Sequence, residues 1–92
     1  MTDFVTIKVL FFASAREAAG DVSETDLELP VNSANTSTLR TQLAKTYPTL
    51  SAVVLDEENL TLALNEEYVT AGQVLPLKTG DTVALIPPIS GG

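Results

Sequence analysis

One parity of residues 4–13 is wholly apolar and the other is mixed, and this asymmetry limits the architecture more than any other stretch of the chain. Val5, Ile7, Val9 and Phe11 alternate with Phe4, Thr6, Lys8, Leu10 and Phe12. Successive side chains of a β-strand point to opposite faces, so such a strand has one face for a core and one that stays at least partly open. A sheet built from it needs a single covering layer. Residues 23–29 repeat the pattern, with Thr25, Leu27 and Leu29 on one parity and Asp26 and Glu28 on the other, and they end at Pro30. The two segments are predicted to form a loose antiparallel hairpin. Between them, alanine-rich residues 13–19 followed by Gly20 read as a short helical turn closed by a glycine cap.

The covering layer is predicted over residues 37–46. Leu39, Leu43 and Tyr47 recur every four residues with Ala44 beside them, several possible N-caps lie in 32–37, and Pro48 stops the helix. Residues 49–59 are less decisive, and 53–55 read as either a brief strand or a buried loop. Leu60, Leu62 and Leu64 alternate with Thr61 and Ala63. Asn65, Glu66 and Glu67 then offer turn chemistry before Tyr68 and Val69, which predicts a tight hairpin. A second turn at 78–81 leads to a strand with Val83 and Leu85 towards the core and Ala84 and Ile86 away from it. This order predicts an α+β domain, a mixed sheet with one main helix packed across it, over residues 1–86. Residues 87–92 are expected to form an extended, flexible tail.

Composition narrows the function. Ninety-two residues, 45% of them apolar, suffice for one compact domain. There is no cysteine, hence no disulfide, thiolate site or cysteine nucleophile, and no histidine, the usual proton shuttle and metal ligand near neutral pH. A net charge of −7 repels phosphate backbones and anionic lipid, so neither nucleic acid nor a membrane is an expected partner. The acidic residues clustered at 21–28 and 56–58 either steer basic partners or simply solvate the surface. No apolar run approaches a membrane span, and Asp3 stands where a signal peptide carries positive charge, so a cytoplasmic location is expected. Asp56, Glu57 and Glu58 lack the alternating ligand spacing of a calcium loop, and the adjacent Glu66 and Glu67 diverge in a turn. No metal site, cofactor or acid–base pair is predicted.

Two groups of residues stand out as candidate sites. Pro87 and Pro88 halt the last strand and stiffen the segment beyond it, and Ile89, Ser90, Gly91 and Gly92 finish the sequence. Six residues span roughly 20 Å at ~3.3 Å each, enough to carry a carboxylate deep into another protein. Terminal glycines add nothing to a core and suit a narrow channel; the bland alternative is a frayed end. The second group comes from strand phase: Phe12, Leu10, Tyr68 and Ile86 all fall opposite the core parity and are expected to share one apolar docking patch, unless the protein's own loops cover Phe12 and Ile86. Arg16 and Glu17 read as an exposed helical pair, with Arg16 available to a partner or a phosphate. Lys8 is either solvated or paired with a partner's acid.

The order of elements and the Gly-Gly ending resemble the ubiquitin-like β-grasp fold. Residues 8–20, KVLFFASAREAAG, and 80–92, GDTVALIPPISGG, are similar to the small subunits of molybdopterin synthase. That resemblance implies a sulfur carrier that is not an enzyme alone. The Gly92 carboxylate would be adenylated with ATP by a ubiquitin-activating-type enzyme and converted to a thiocarboxylate by a sulfurtransferase. Inserted into the large synthase subunit, it would give its sulfur to cyclic pyranopterin monophosphate in molybdenum cofactor biosynthesis. Pro87, Pro88, Ile89, Ser90 and Gly91 would lie in the partner's channel, Phe12, Tyr68 and Ile86 would make the hydrophobic contact, and the assembly would be a heterotetramer. The rival readings are the sulfur carrier of thiamine thiazole synthesis and a ubiquitin-like protein modifier.

Overall fold

The computed structural model describes residues 3–51, 60–70 and 72–87. Strand β1 (Phe4–Phe11) buries Val5, Ile7, Val9 and Phe11 on one side, as its alternation predicts. Strand β2 (Glu24–Pro30) runs antiparallel to it, with Val5 opposite Leu29 and Ile7 opposite Leu27, so the apolar parities of the hairpin coincide. Opposed residues share a face, and a one-residue slip would turn both sets to solvent.

Helix α1 (Ala13–Ala18) joins the two strands. Its end is set by Gly20, at φ 81°: the Gly20 N–H donates to the Glu17 carbonyl at 3.1 Å and the Asp21 N–H to the Arg16 carbonyl at 2.9 Å. This pair of bonds satisfies helix carbonyls left without partners, and it needs a left-handed residue best supplied by glycine. β1 is shorter than the alternation in 4–13 suggests. Phe12 is the N-cap of α1, at φ −124° and ψ 151°. An N-cap keeps extended dihedrals, which is why the strand-like phase runs on past the strand.

Helix α2 (Thr36–Thr46) is the principal covering element and starts one residue before the predicted 37. Asn35 caps it reciprocally: its Oδ1 accepts from the Thr38 N–H at 2.9 Å, and its own N–H donates to Thr38 Oγ1 at 3.1 Å. Leu39 and Leu43 are fully buried over the sheet. The Tyr47 ring meets Phe11 edge-on, 5.3 Å between centroids at 73°. Pro48 then opens a single 3-10 turn, Pro48–Leu50, whose Leu50 closes the same core. The brief strand or loop considered for 53–55, and the acidic 56–58, lie outside the described residues.

Strands β3 (Thr61–Leu64), β4 (Glu67–Val69) and β5 (Thr82–Ile86) complete a five-stranded sheet in the order β2-β1-β5-β3-β4. β5 is parallel to β1 and antiparallel to β3, so the last strand occupies the middle of the sheet. Leu62, Val83 and Leu85 face α2 and are fully buried. The sheet is mixed and one main helix crosses one of its faces, as expected. Among the described residues no helix is long and apolar enough to cross a membrane.

Leu43 is fully buried in the core, so Leu43→Ala is expected to destabilise the domain by about 2–5 kcal/mol, the range for truncating a buried leucine. Urea denaturation checks this, and a loss below about 1 kcal/mol would contradict the packing of α2 on the sheet.

Candidate functional site

The face of the sheet away from α2 holds the candidate docking residues. Register places Leu10 beside Ala84, Ala84 beside Ala63 and Ala63 beside Tyr68, one row of side chains across β1, β5, β3 and β4. Ile86 lies one step further along β5, opposite Thr61. Phe12 sits just past the end of β1, where Phe11 pairs with Leu85. Three of the four residues named from strand phase, Phe12, Tyr68 and Ile86, therefore converge, and Leu10, the fourth, joins them. With Leu10, Ala63, Ala84, Asn65, Glu66 and Thr82 they line a concavity of about 640 Å³. Two alanines make its floor low, and larger side chains form its walls.

No loop of the described chain covers this concavity. Phe12 is 48% exposed, which decides against its being covered, Tyr68 is 75% exposed, and Ile86 is half-buried. Exposed apolar clusters of this kind mark interaction surfaces. The β2 side of the same face is acidic, carrying Glu24, Asp26 and Glu28 opposite Leu10, Lys8 and Thr6 respectively. Lys8 is paired with Glu24 at 3.4 Å, both side chains about half exposed, a contact worth little in stability. Arg16 and Glu17 are both exposed on α1, at the surface as expected.

The hairpin that carries Tyr68 is tied to β5 by a polar clasp not expected from sequence. Asp81 is buried; its Oδ1 accepts from Asn65 Nδ2 at 3.0 Å and its Oδ2 from the Lys78 N–H at 2.9 Å. Asn65 Oδ1 accepts from the Thr82 N–H at 2.9 Å, and the Asn65 N–H donates to the Thr82 carbonyl at 2.8 Å. Gly80, at φ 97°, makes the turn that brings Asp81 back under the hairpin. The two residues of the β3–β4 turn, Asn65 and Glu66, have φ of 49° and 75°. That is the geometry of the tightest hairpins, for which Asn-Gly is the favoured pair. Left-handed backbone costs a residue bearing a Cβ about 1–2 kcal/mol, less for Asn, so the strain rests on Glu66.

The chain leaves β5 at the end of the sheet where Phe12 lies. Pro87, expected to begin the tail, is buried. Pro88, Ile89, Ser90, Gly91 and Gly92 lie outside the described residues. Among the described residues no three His, Cys, Asp or Glu side chains converge as a metal site would require. The clasp generates a prediction: Asp81→Ala strands two donors and is expected to cost about 1–3 kcal/mol in thermal or urea unfolding. An unchanged midpoint would mean that the clasp holds nothing.

Comparison with known proteins bears on this geometry. The model of the ThiS family matches residues 9–92. The molybdopterin synthase sulfur carrier subunit of Chlamydomonas reinhardtii is 45% identical over 86 residues, covering 94% of this chain and 98% of that protein. Among solved structures, the small archaeal modifier protein 1 of Methanosarcina acetivorans superposes with a TM-score of 0.77 at 27% identity, covering 99% of this chain and 100% of that one. A chain from the complex of subunits 1 and 2 of the Helicobacter pylori molybdopterin-converting factor superposes at 0.65 with 22% identity, over 96% and 100% of the two chains. The fold is the ubiquitin-like β-grasp. The chain belongs to the ThiS family, and the molybdopterin synthase sulfur carrier subunits are among its relatives.

Proposed function

We propose that this chain is the sulfur carrier subunit of a molybdopterin synthase. The observation that carries the reading is the end-to-end similarity to a protein of that name, 45% identical over 94% of this chain, joined to an open apolar concavity beside the exit of β5. On the resemblance to the sulfur carrier subunits, the reactive group is the Gly92 carboxylate; the absence of cysteine and histidine from the chain is in keeping with this. A carboxylate resists substitution because its leaving group is an oxide. Attack of the carboxylate oxygen on the α-phosphate of ATP expels pyrophosphate and gives an acyl adenylate, from which a sulfur nucleophile displaces AMP. The adenylate is made by a ubiquitin-activating-type enzyme and the sulfur is brought by a sulfurtransferase, in the cytoplasm.

The resulting thiocarboxylate enters the large subunit, where Pro88 to Gly91 thread the channel beyond the buried Pro87 and Phe12, Tyr68 and Ile86 seat the domain. Subunit 1 of the Helicobacter pylori converting factor is seen in complex with subunit 2, which supports a large-subunit partner here. Two carriers on a large-subunit dimer form the heterotetramer. A side chain at Gly92 would crowd an acyl carbon that successive enzymes attack, and one at Gly91 would narrow the φ/ψ range open to a threaded chain. Enclosure protects the thiocarboxylate from water and raises its effective concentration at the pterin precursor.

The reading predicts that ATP, the adenylating enzyme and a sulfur donor raise the intact mass by about 16 Da, one oxygen exchanged for sulfur. No change with a demonstrably active enzyme would remove it. Covalent adducts on lysines of other proteins would favour a modifier instead. Sulfur delivered to a thiazole precursor rather than to the pterin would favour thiamine synthesis. Deleting Gly92 is expected to abolish transfer and leave the unfolding midpoint unchanged, because every buried side chain among the described residues lies at or before Pro87.

A further inference from the structure

Glu66 occupies a position whose backbone geometry disfavours it. Both residues of the β3–β4 turn are left-handed, and the second is a glutamate at φ 75° rather than the glycine that such a turn favours. The fold itself gains nothing from this choice. The Glu66 carboxylate is exposed, and the bonds that hold the turn are made by Asn65, Asp81 and Thr82. Strain retained at one position while the surroundings enforce it is characteristic of functional sites.

What Glu66 does touch is the docking concavity, which it lines with Tyr68, Phe12 and Ile86. The charged side chains on this face are acidic on both flanks: Glu66 at the β3–β4 side, and Glu24, Asp26 and Glu28 along β2. Lys8, on the same face, is already paired with Glu24. An apolar hollow rimmed by carboxylates is complementary to an apolar projection rimmed by arginine or lysine. A large subunit that takes up a thiocarboxylate and a cyclic phosphate ester has two anions to accommodate, which favours cationic side chains near its entrance.

We infer that Glu66 is the acidic contact of the docking face, receiving an arginine or lysine of the large subunit whose apolar surface seats on Phe12, Tyr68 and Ile86. The contact is the reason the turn keeps a side chain where glycine would be more stable. This rests on the carrier reading above and adds to it a specificity-determining residue.

A neighbouring carboxylate provides the control. Glu67 is exposed but pairs with Leu64 and is in phase with Val69, so it points to the opposite side of the sheet. Glu67→Gln changes the net charge as much as Glu66→Gln without touching the concavity. Binding of the full-length carrier to purified large subunit is measured by titration calorimetry at low and moderate ionic strength. Glu66→Gln and Glu66→Gly are expected to bind about two- to fivefold more weakly at low salt, with the gap closing as salt rises. Glu67→Gln is expected to match the wild type, and Glu66→Gly to melt at a higher temperature than the wild type because the left-handed strain is gone. Equal affinity of Glu66→Gln and wild type at low salt, or equal losses in Glu66→Gln and Glu67→Gln, would overturn the assignment of Glu66 alone. A wild-type carrier that fails to bind the large subunit would overturn the docking reading, and this assignment with it.

Discussion

A five-stranded sheet has two faces, and the described chain has one helix long enough to cover one of them. The rest of the molecule is shaped by how that shortage is resolved. α2 lays Leu39 and Leu43 against Ile7, Val9, Leu62, Val83 and Leu85, and those positions are apolar on every strand that reaches the middle. The other face keeps a row of modest apolar side chains in the centre and carboxylates at its margins. Strand register allows no compromise between the two, because shifting any strand by one residue would exchange its core and its surface. The pairing that buries Leu85 is therefore the same pairing that presents Ala84 and Ile86.

The parallel alignment of β1 and β5 has a second consequence. Parallel strands run towards the same end of the sheet, so the chain leaves Ile86 beside Phe12 rather than at the opposite rim. The concavity of the open face and the departure point of the last residues are thus neighbours by topology. In the proposed role this is a division of labour: the globular part recognises, the final glycine reacts, and the partner supplies the enclosed site. The domain's own chemistry is correspondingly bare, with no histidine or cysteine anywhere in the sequence.

Most of this was legible in the residues because apolar periodicity reports directly on faces. The parity of Val5 to Phe11, the four-residue spacing of Leu39 and Leu43, and the alternation around Val83 located the core, and the same phase brought Phe12, Tyr68 and Ile86 together. Boundaries were less legible. Phe12 continues the alternation of β1 although it caps a helix, since both roles use extended backbone. Polar burial was not legible at all. Asp81 read as a turn residue, yet it lies buried under the β3–β4 hairpin, and Arg40 is buried on α2 with an Nη donating to the Leu60 carbonyl at 3.3 Å. Hydrophobic patterning carries no information on such groups, whose positions depend on partners more than a dozen residues away. Leu50 and Leu77 were missed as core for a related reason, because neither belongs to a periodic segment. Nor could the parity of a strand foretell that Glu66 would line the hollow, since the turn's backbone sets its direction.

The account stands on the claim that the uncovered sheet face, and not the helical one, meets the partner. Methyl-resolved NMR of the carrier titrated with the large subunit tests it directly. The account predicts that the methyl signals of Leu10, Ala63, Ala84 and Ile86 shift or broaden while those of Leu39 and Leu43 stay in place. Perturbation of side chains exposed around α2, with the open face unchanged, would contradict it.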